Sequence, residues 1–440
     1  MPLPATAVSS LVAELLEEDE TERARHEKVK NYLDGDHTDP YMYRGLRREY
    51  KKLCLSSVLN VCPTVVEVTS QRIYVDGLLS SDTELDATLW NAFQRNRMDS
   101  RQAVIHQSVI AYGIAFAVVL PGNPVPVITP KSALQMCAFF DGEEVEYALE
   151  RAGRGKFRLY DAEAVYTLRQ GEKSDEFTVL RVEEHGLGFV PVVVFRNSYD
   201  ATGKVMGDVE RIIPEQDSLN QTNLSIALAI ELGAARQKYI LGIELPKDPD
   251  GNPVDIELQA NLSKIWTFED AALKVGEFGQ TDISGMLDNR AQVLKNIAVK
   301  SAIPANRLAT GDLVNLSAEA LQSLEASQNR KVTEKQSVLG DSWIELFMMM
   351  AAMMGEELDP LAHIRWRDTS TRSLSQVVDA LGKLATLLGV PQRALWKMVP
   401  NVTETDIASW ESMIDSGDSI SELMEIIRAD LPDVELPETA

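Results

Sequence analysis

Apolar positions in the first quarter of the chain recur at three and four. Leu11, Leu15 and Leu16 lead a helical pattern over 8–34 that the turn Asp34-Gly35-Asp36 closes. More helix is predicted to about residue 113, including Asp82 to Arg97 and Asp99 to Tyr112. The apolar run Ile73-Tyr74-Val75 interrupts it and fits a strand. From Ala115 the period changes. The segments AFAVVLPG, EVEYALERAG, KFRLYDAEAVYTLRQ, EFTVLRVEEHG and VPVVVFRN are short and rich in branched and aromatic residues, with turn residues between them. That pattern predicts antiparallel strands, so residues 1–206 read as an α+β region, helices first and a meander after.

The second half returns to long helices. In GDVERIIPEQDSLNQTNLSIALAIELGAARQKYILG, Ile212, Leu219, Asn223, Ile226, Ile230 and Gly233 form one stripe, and Leu224, Leu228 and Leu232 a second. Two stripes predict two neighbours. Residues 238–279, with Pro246, Pro249 and Pro253, read as a small insert whose IELQ and KIWTF runs suggest strands. A second long helix follows, its apolar face made by Ile283, Met286, Leu287, Leu294 and Ile297, and Pro304 stops it. A third is expected from Ser317 to about Gly355, then shorter helices over 371–388, 391–399, 404–415 and 419–429 in an acidic tail.

Composition narrows what such a chain does. Its 440 residues fit two to four structural regions, and 45% apolar with 25% charged residues is ordinary for a folded protein. Lys and Arg number 43 against 67 Asp and Glu, a formal charge of -24, which argues against a tight non-specific grip on nucleic acid or an anionic membrane. Cys54, Cys62 and Cys137 match no metal spacing and imply no disulfide framework, so buried thiols in a reducing compartment are expected. The opening MPLPATAVSSLVAELLEEDE lacks the basic and apolar regions of a secretory signal. WIELFMMMAAMMG at 343–355 is shorter than the ~20 residues a bilayer crossing needs, so it reads as a packing surface.

Catalytic patterns fail one by one. His26, His37, His106, His185 and His363 are scattered, with no HExxH pair. DPDGNPVDIELQ resembles a calcium loop at Asp248, Asp250 and Asn252, but Pro253 replaces the turn glycine and Gln259 the bidentate glutamate. GRGK at 153–156 is too short to cradle a phosphate and reads as a hairpin turn. There is no GxSxG, and no cofactor or metal is expected. The cluster Arg44, Arg47, Arg48, Lys51 and Lys52 reads as a solvated or subunit-facing helix surface.

The third long helix is the unusual one. ATGDLVNLSAEALQSLE, at 309–325, places Thr310-Gly311-Asp312 before Ser317, a plausible N-cap, with Glu319 in the first turn where the helix dipole favours an acid. From Glu325 to Ser337 the helix reads EASQNRKVTEKQS, nearly polar all round, before turning apolar from Trp343. A helix polar on every side bridges solvent or lines a wet passage. Pairs such as Lys331 with Glu334 add only ~0.3 kcal/mol each, so packing against other subunits is the expected support.

The ordered set GDVERIIPEQDSLN, RQKYILG, SAEALQSLE and IRWRDTSTRSLSQVVDAL resembles the portal proteins of tailed bacteriophages, of the siphophage type. The likeness runs over roughly 30–390 and includes a Ser-(Gly/Ala)-x-Ala-Leu signature at residues 317–321. It implies a dodecameric ring at one capsid vertex, assembled in the host cytoplasm, through which double-stranded DNA is packaged and ejected without sequence preference. It implies a wing over 1–206, stem helices over 207–237 and 280–302, a clip over 238–279 and a tunnel loop over 303–316. A channel helix over 317–370 would return to the wing, and 371–440 would form a crown. The expected partners are the terminase large subunit, the head-tail adaptor, and the major capsid and scaffolding proteins, with no membrane.

In that frame Asn306, Arg307, Thr310, Gly311, Asp312 and Asn315 are the DNA-proximal candidates, offering hydrogen bonds to a backbone and, at Gly311, conformational freedom. Ser317, Arg330, Lys331 and Lys335 belong to the channel helix, and Lys247, Asp250 and Glu257 to the clip's partner surface. Salt confines a charge's reach to ~8 Å, so only wall residues act on the duplex, and an acidic wall with few cations lets it pass. The alternatives are another head component, an adaptor or minor capsid protein, and a metal-dependent phage nuclease.

Overall fold

The computed structural model describes residues 2–41, 51–173, 175–198, 203–234, 238–241, 274–277, 282–308, 318–367, 374–396, 398–399, 402 and 404–415. In the first half these form α1 (Ala5–Glu18), α2 (Glu20–Asp34), α3 (Lys51–Ser57), α4 (Cys62–Ser70), β1 (Val75–Leu79), α5 (Thr83–Arg95) and α6 (Met98–Tyr112). Eight strands follow: β2 (Ile114–Leu120), β3 (Val127–Ser132), β4 (Met136–Asp141), β5 (Glu144–Gly153), β6 (Lys156–Tyr160), β7 (Ala164–Gln170), β8 (Phe177–Glu184) and β9 (Val192–Arg196). The second half holds α7 (Asp208–Ala234), β10 (Lys238–Leu241), β11 (Lys274–Glu277), α8 (Ser284–Ser301), a single 3-10 turn (Ala305–Arg307), α9 (Ala318–Met354), β12 (His363–Trp366), α10 (Leu374–Leu387), α11 (Gln392–Trp396) and α12 (Glu404–Asp415).

The α+β expectation holds, and the meander is the antiparallel sheet β4-β5-β6-β7-β8. Alternation explains it: Leu149, Leu159, Tyr166 and Leu168 point to one face and are fully buried, under the α1 residues Val8, Val12 and Leu15. The opposite face presents Ala148, Tyr160 and Val165 to Phe116, Val118, Val192 and Val194 of the second sheet, β3-β2-β9. Gly153, Arg154 and Gly155, all at positive φ, make the β5–β6 turn expected of GRGK.

Four sequence expectations are corrected. The helix over 8–34 is two helices that separate at Asp19, whose carboxylate pairs with Arg151 of the meander, so α1 caps the sheet while α2 enters the main core. The run Ile73-Tyr74-Val75 enters a strand only at Val75; β1 then pairs antiparallel with β12 (His363–Trp366), whose last three residues open the run IRWRDTSTRSLSQVVDAL without being separated from it. The run RQKYILG does not close α7, because the helix ends at Ala234 and KYIL pairs antiparallel with β11. Strands β3 and β4 were not anticipated, since VITPKS carries a proline and MCAFFD lacks alternation. The IELQ and KIWTF runs, residues 42–50 and the helix expected over 419–429 lie outside the described residues.

The main core joins α2, α4, α5, α6, β2 and β9 to α7, α8 and α9. Trp343 sits at its centre, fully buried between Phe93 and Phe195, and donates its indole N–H to His106 Nε2 at 3.2 Å. Burial pushes His106 down to about 4, so it accepts that bond as a neutral ring. The apolar run at 343–355 is the packing surface expected, with Trp343, Leu346, Phe347, Met350 and Ala351 all inside. By length and composition 325–354 could cross a bilayer, but Val332, Leu339, Trp343, Leu346, Phe347, Met350 and Ala351 within it are packed in the chain's own core.

Burial also pushes the thiols of Cys62 and Cys137 up to about 12, while Cys54 is half-buried. At pH 8 a thiol-exchange reagent is expected to titrate one cysteine per native chain quickly and all three in denaturant. A second fast thiol in the native protein would contradict the packing described.

Candidate functional site

The polar half of α9 is held by its own chain. Positions 328, 332, 335, 339, 343, 346 and 350 recur at four and three and are buried: Gln328, Val332 and Lys335 in the polar half, then Leu339, Trp343, Leu346 and Met350. The segment Glu325 to Ser337 is therefore not polar on every side in effect, and the expectation that only other subunits could support it is corrected. Its inward polar side chains are paired within the chain.

At the centre of that pairing is Asp208, the first residue of α7, only 3% exposed. Lys331 Nζ lies 2.6 Å from its Oδ2 and Lys335 Nζ 3.4 Å from its Oδ1. Lys331 also donates to the Ser301 carbonyl at the end of α8, 2.6 Å away, and Lys335 to Asn197 Oδ1 just after β9. Asn197 returns its Nδ2 to the Met206 carbonyl at 2.9 Å and to Asp208 Oδ1 at 3.3 Å. One carboxylate thus fastens α9, the C-terminus of α8, the start of α7 and the end of β9 to one another.

The electrostatics follow from burial. Desolvation alone would push Asp208 up, but the two ammoniums outweigh it and hold the carboxyl below its ordinary range. Lys335 goes the other way: burial takes it down to about 8 against the pull of Asp208, and Lys331 and Arg211 add to the lowering. The lysine is the strained member of the pair.

One helical turn N-terminal, a second cluster ties α9 to α4. Arg72 pairs with Glu325 at 3.1 Å and donates to Asn329 Oδ1 at 2.6 Å, and Gln328 Nε2 donates to the Val68 carbonyl at 3.2 Å. Glu325 also faces Arg307 of the 3-10 turn at 3.7 Å, which ties that turn to α9.

Of the residues singled out from sequence, Asn306 and Arg307 lie on that turn, with Arg307 half exposed. Arg330 is exposed on α9, whereas Lys331 and Lys335 face inward onto Asp208. Thr310, Gly311, Asp312, Asn315 and Ser317, and the clip candidates Lys247, Asp250 and Glu257, lie outside the described residues. Sequence reasoning missed Asp208, Asn197, Arg72 and Glu325. The signal present was the (i, i+4) pair Lys331 and Lys335 on one helix face, a lone cationic stripe that needs an acid opposite. Among the described residues, no group of three or more His, Cys, Asp or Glu side chains is arranged to hold a metal ion.

The chain's relatives agree in kind. The family model for phage portal proteins of the SPP1 Gp6-like type matches residues 12–419. The portal protein of Mycobacterium phage D29 is 26% identical over 355 residues, and that of Mycobacterium phage L5 27% identical over 357, each match covering 72% of this chain and 70% of the relative. A chain in the solved neck of an empty GTA particle superposes with a TM-score of 0.49 at 13% identity, covering 75% of this chain and 89% of that one.

Proposed function

Because the chain belongs to the SPP1 Gp6-like family of phage portal proteins, a structural component of the virion, we propose that identical copies close into a ring, expected to be a dodecamer, at one capsid vertex. Double-stranded DNA passes through that ring on packaging and again on ejection. The observation that carries this reading is the order of elements: the 27-residue α7 and the 18-residue α8 flank an insert that begins and ends in the paired strands β10 and β11, and the 37-residue α9 follows. Paired rods with a small β tip make a stem and a clip, while α1–α6 and β2–β9 make a wing. The insert, 238–279, is the docking surface for the terminase large subunit during packaging and for the head-tail adaptor afterwards; Lys247, Asp250 and Glu257 are its candidates. Assembly with the major capsid and scaffolding proteins takes place in the host cytoplasm.

Residues 303–316 are the tunnel loop in this reading, with Asn306, Arg307, Thr310, Gly311, Asp312 and Asn315 nearest the duplex. The Arg307–Glu325–Arg72 chain supports it, because a loop that meets moving cargo needs one fixed end. Purified protein viewed end-on in electron micrographs is expected to show rings with a central hole, and mass measurement an integer multiple of 48.8 kDa. A monomer that cleaves DNA when given metal would overturn the reading in favour of a nuclease. Gly311→Pro is expected to leave ring formation intact and to impair DNA packaging, since proline stiffens the loop. Packaging at the parent rate in that variant would remove Gly311 from the working loop.

A further inference from the structure

Beside the Asp208 junction, α7, α8 and α9 enclose an open cleft of about 440 Å³ lined by Arg211, Lys300, Arg330, Lys331 and Lys335. The acids lining it are Asp208 and Glu334. Such a concentration of cations is out of keeping with a chain of 67 carboxylates and 43 cationic residues, where a surface arginine should readily meet an acid. Lys331 and Lys335 are committed to Asp208, and Lys300 reaches Glu215 at 2.5 Å. Arg211 and Arg330 are different. Both are exposed, and among the described residues neither pairs with a carboxylate; Arg330 uses only its Nε, on the Ala326 carbonyl at 3.5 Å. Two exposed guanidinium forks thus line one cleft together with two largely buried, partly committed ammoniums.

We propose that this cleft is an oxyanion site of the phosphate class, filled by a phosphodiester of duplex DNA or by free phosphate. Guanidinium presents parallel N–H donors that match a phosphate's oxygens, and two of them with an ammonium behind carry more charge than a single carboxylate offset requires. The crowding of cations around Lys335 has the same sense: Lys331 and Arg211 both disfavour its proton, and an anion in the cleft relieves that repulsion. A carboxylate from a neighbouring copy is the competing occupant, and a phosphate response lost with the two arginines decides against it. The DNA source rests on the conduit reading above; the site itself does not.

The test uses the purified full chain in whatever assembly it adopts. Inorganic phosphate, at ionic strength matched with chloride, is expected to raise the unfolding midpoint of the parent, and Arg211→Gln with Arg330→Gln to weaken phosphate binding about tenfold. Arg154→Gln with Lys156→Gln, an equal charge change on the exposed β5–β6 turn, is expected to leave it unchanged. In a second arm a short duplex is titrated onto the protein at several salt concentrations. If the duplex fills the site, phosphate competes with it and the arginine variant lowers the salt slope by about 0.9, the value for one lost phosphate contact; if phosphate binds without competing, the source is free phosphate. The proposal is overturned by an equal phosphate response in the parent and the arginine variant, by no response in either, or by loss of assembly with phosphate binding retained. A duplex that binds rings with a slope unaffected by the arginines removes DNA from this cleft while leaving the conduit standing. Absence of rings removes the conduit, and the phosphate arm still decides the site.

Discussion

Asp208→Ala is expected to cost roughly 3–5 kcal/mol of folding stability, because it removes the carboxylate from two largely buried ammoniums. The carboxylate is 3% exposed, and the Lys335 and Lys331 side chains 7% and 16%. Lys335→Met is expected to cost much less: the Asp208–Lys331 pair survives, the methylene volume is largely kept, and the more strained cation is gone. Urea unfolding of the two variants measures the difference through their midpoints at constant slope.

The pH dependence has a sign of its own. The folded carboxyl of Asp208 titrates below its unfolded value, so its contribution is complete above the usual carboxylate range and is lost as pH falls through the folded value. Lys335, held down to about 8, sheds its proton in the folded chain while the unfolded chain still keeps it, so between about 8 and the ordinary lysine value stability rises with pH. Lys335→Met should flatten that rise. An Asp208→Ala protein within about 1 kcal/mol of its parent, with an unchanged alkaline profile, would mean that the junction is wet and the pairs are only surface pairs.

Helices α8 and α9 were legible because each is long and has a clear end signal: α9 was expected over 317–355 and spans 318–354, and α8 ends at Ser301 just before Pro304. The meander was legible because branched and aromatic residues concentrate in strands of five or more residues separated by turn residues such as Gly153, Arg154 and Gly155. What escaped was whatever depends on a distant partner. Strand β12 is four residues long and exists because β1, nearly three hundred residues earlier, supplies the other half of its ladder. The helix that read as polar all round owes its order to Asp208, Asn197 and Arg72, which lie more than a hundred residues away in sequence. Periodicity shows that Gln328, Val332 and Lys335 share a face; it cannot show that the acid opposite them is their own chain's rather than a neighbour's. The order of elements, by contrast, survives loss of any single motif, and that is why the family was recognisable at about a quarter identity.

Gly207→Ala is expected to be at least as damaging as the loss of Asp208, although nothing about the backbone angle of Gly207 demands glycine. A Cβ on Gly207 would stand 2.0 Å from the Ala111 carbonyl oxygen, 2.6 Å from its carbon and 2.9 Å from the carbonyl carbon of Tyr112. All three are backbone atoms at the C-terminus of α6, so no side chain can swing away. Gly113, at φ +95°, faces the same crossing from the other side, with its own hypothetical Cβ 2.8 Å from the Met206 carbonyl carbon. The crossing is also pinned, since the Asn197 backbone N–H donates to the Gly113 carbonyl at 2.8 Å. Relief therefore requires one chain to move by more than an ångström, which tears Asp208, the next residue, away from Lys331 and Lys335. The expected cost exceeds about 4 kcal/mol, the range reserved for changes that break a packed network. Gly142→Ala is the control: at φ +65° with nothing near its Cβ, it should cost only the ~1–2 kcal/mol of a left-handed non-glycine residue. Because Gly207→Ala and Asp208→Ala damage the same junction, the double variant should lose less than the two single losses combined, a coupling readable from unfolding midpoints. Additive losses would mean that the backbone crossing and the ion pairs are independent devices, and that Gly207 does not position Asp208.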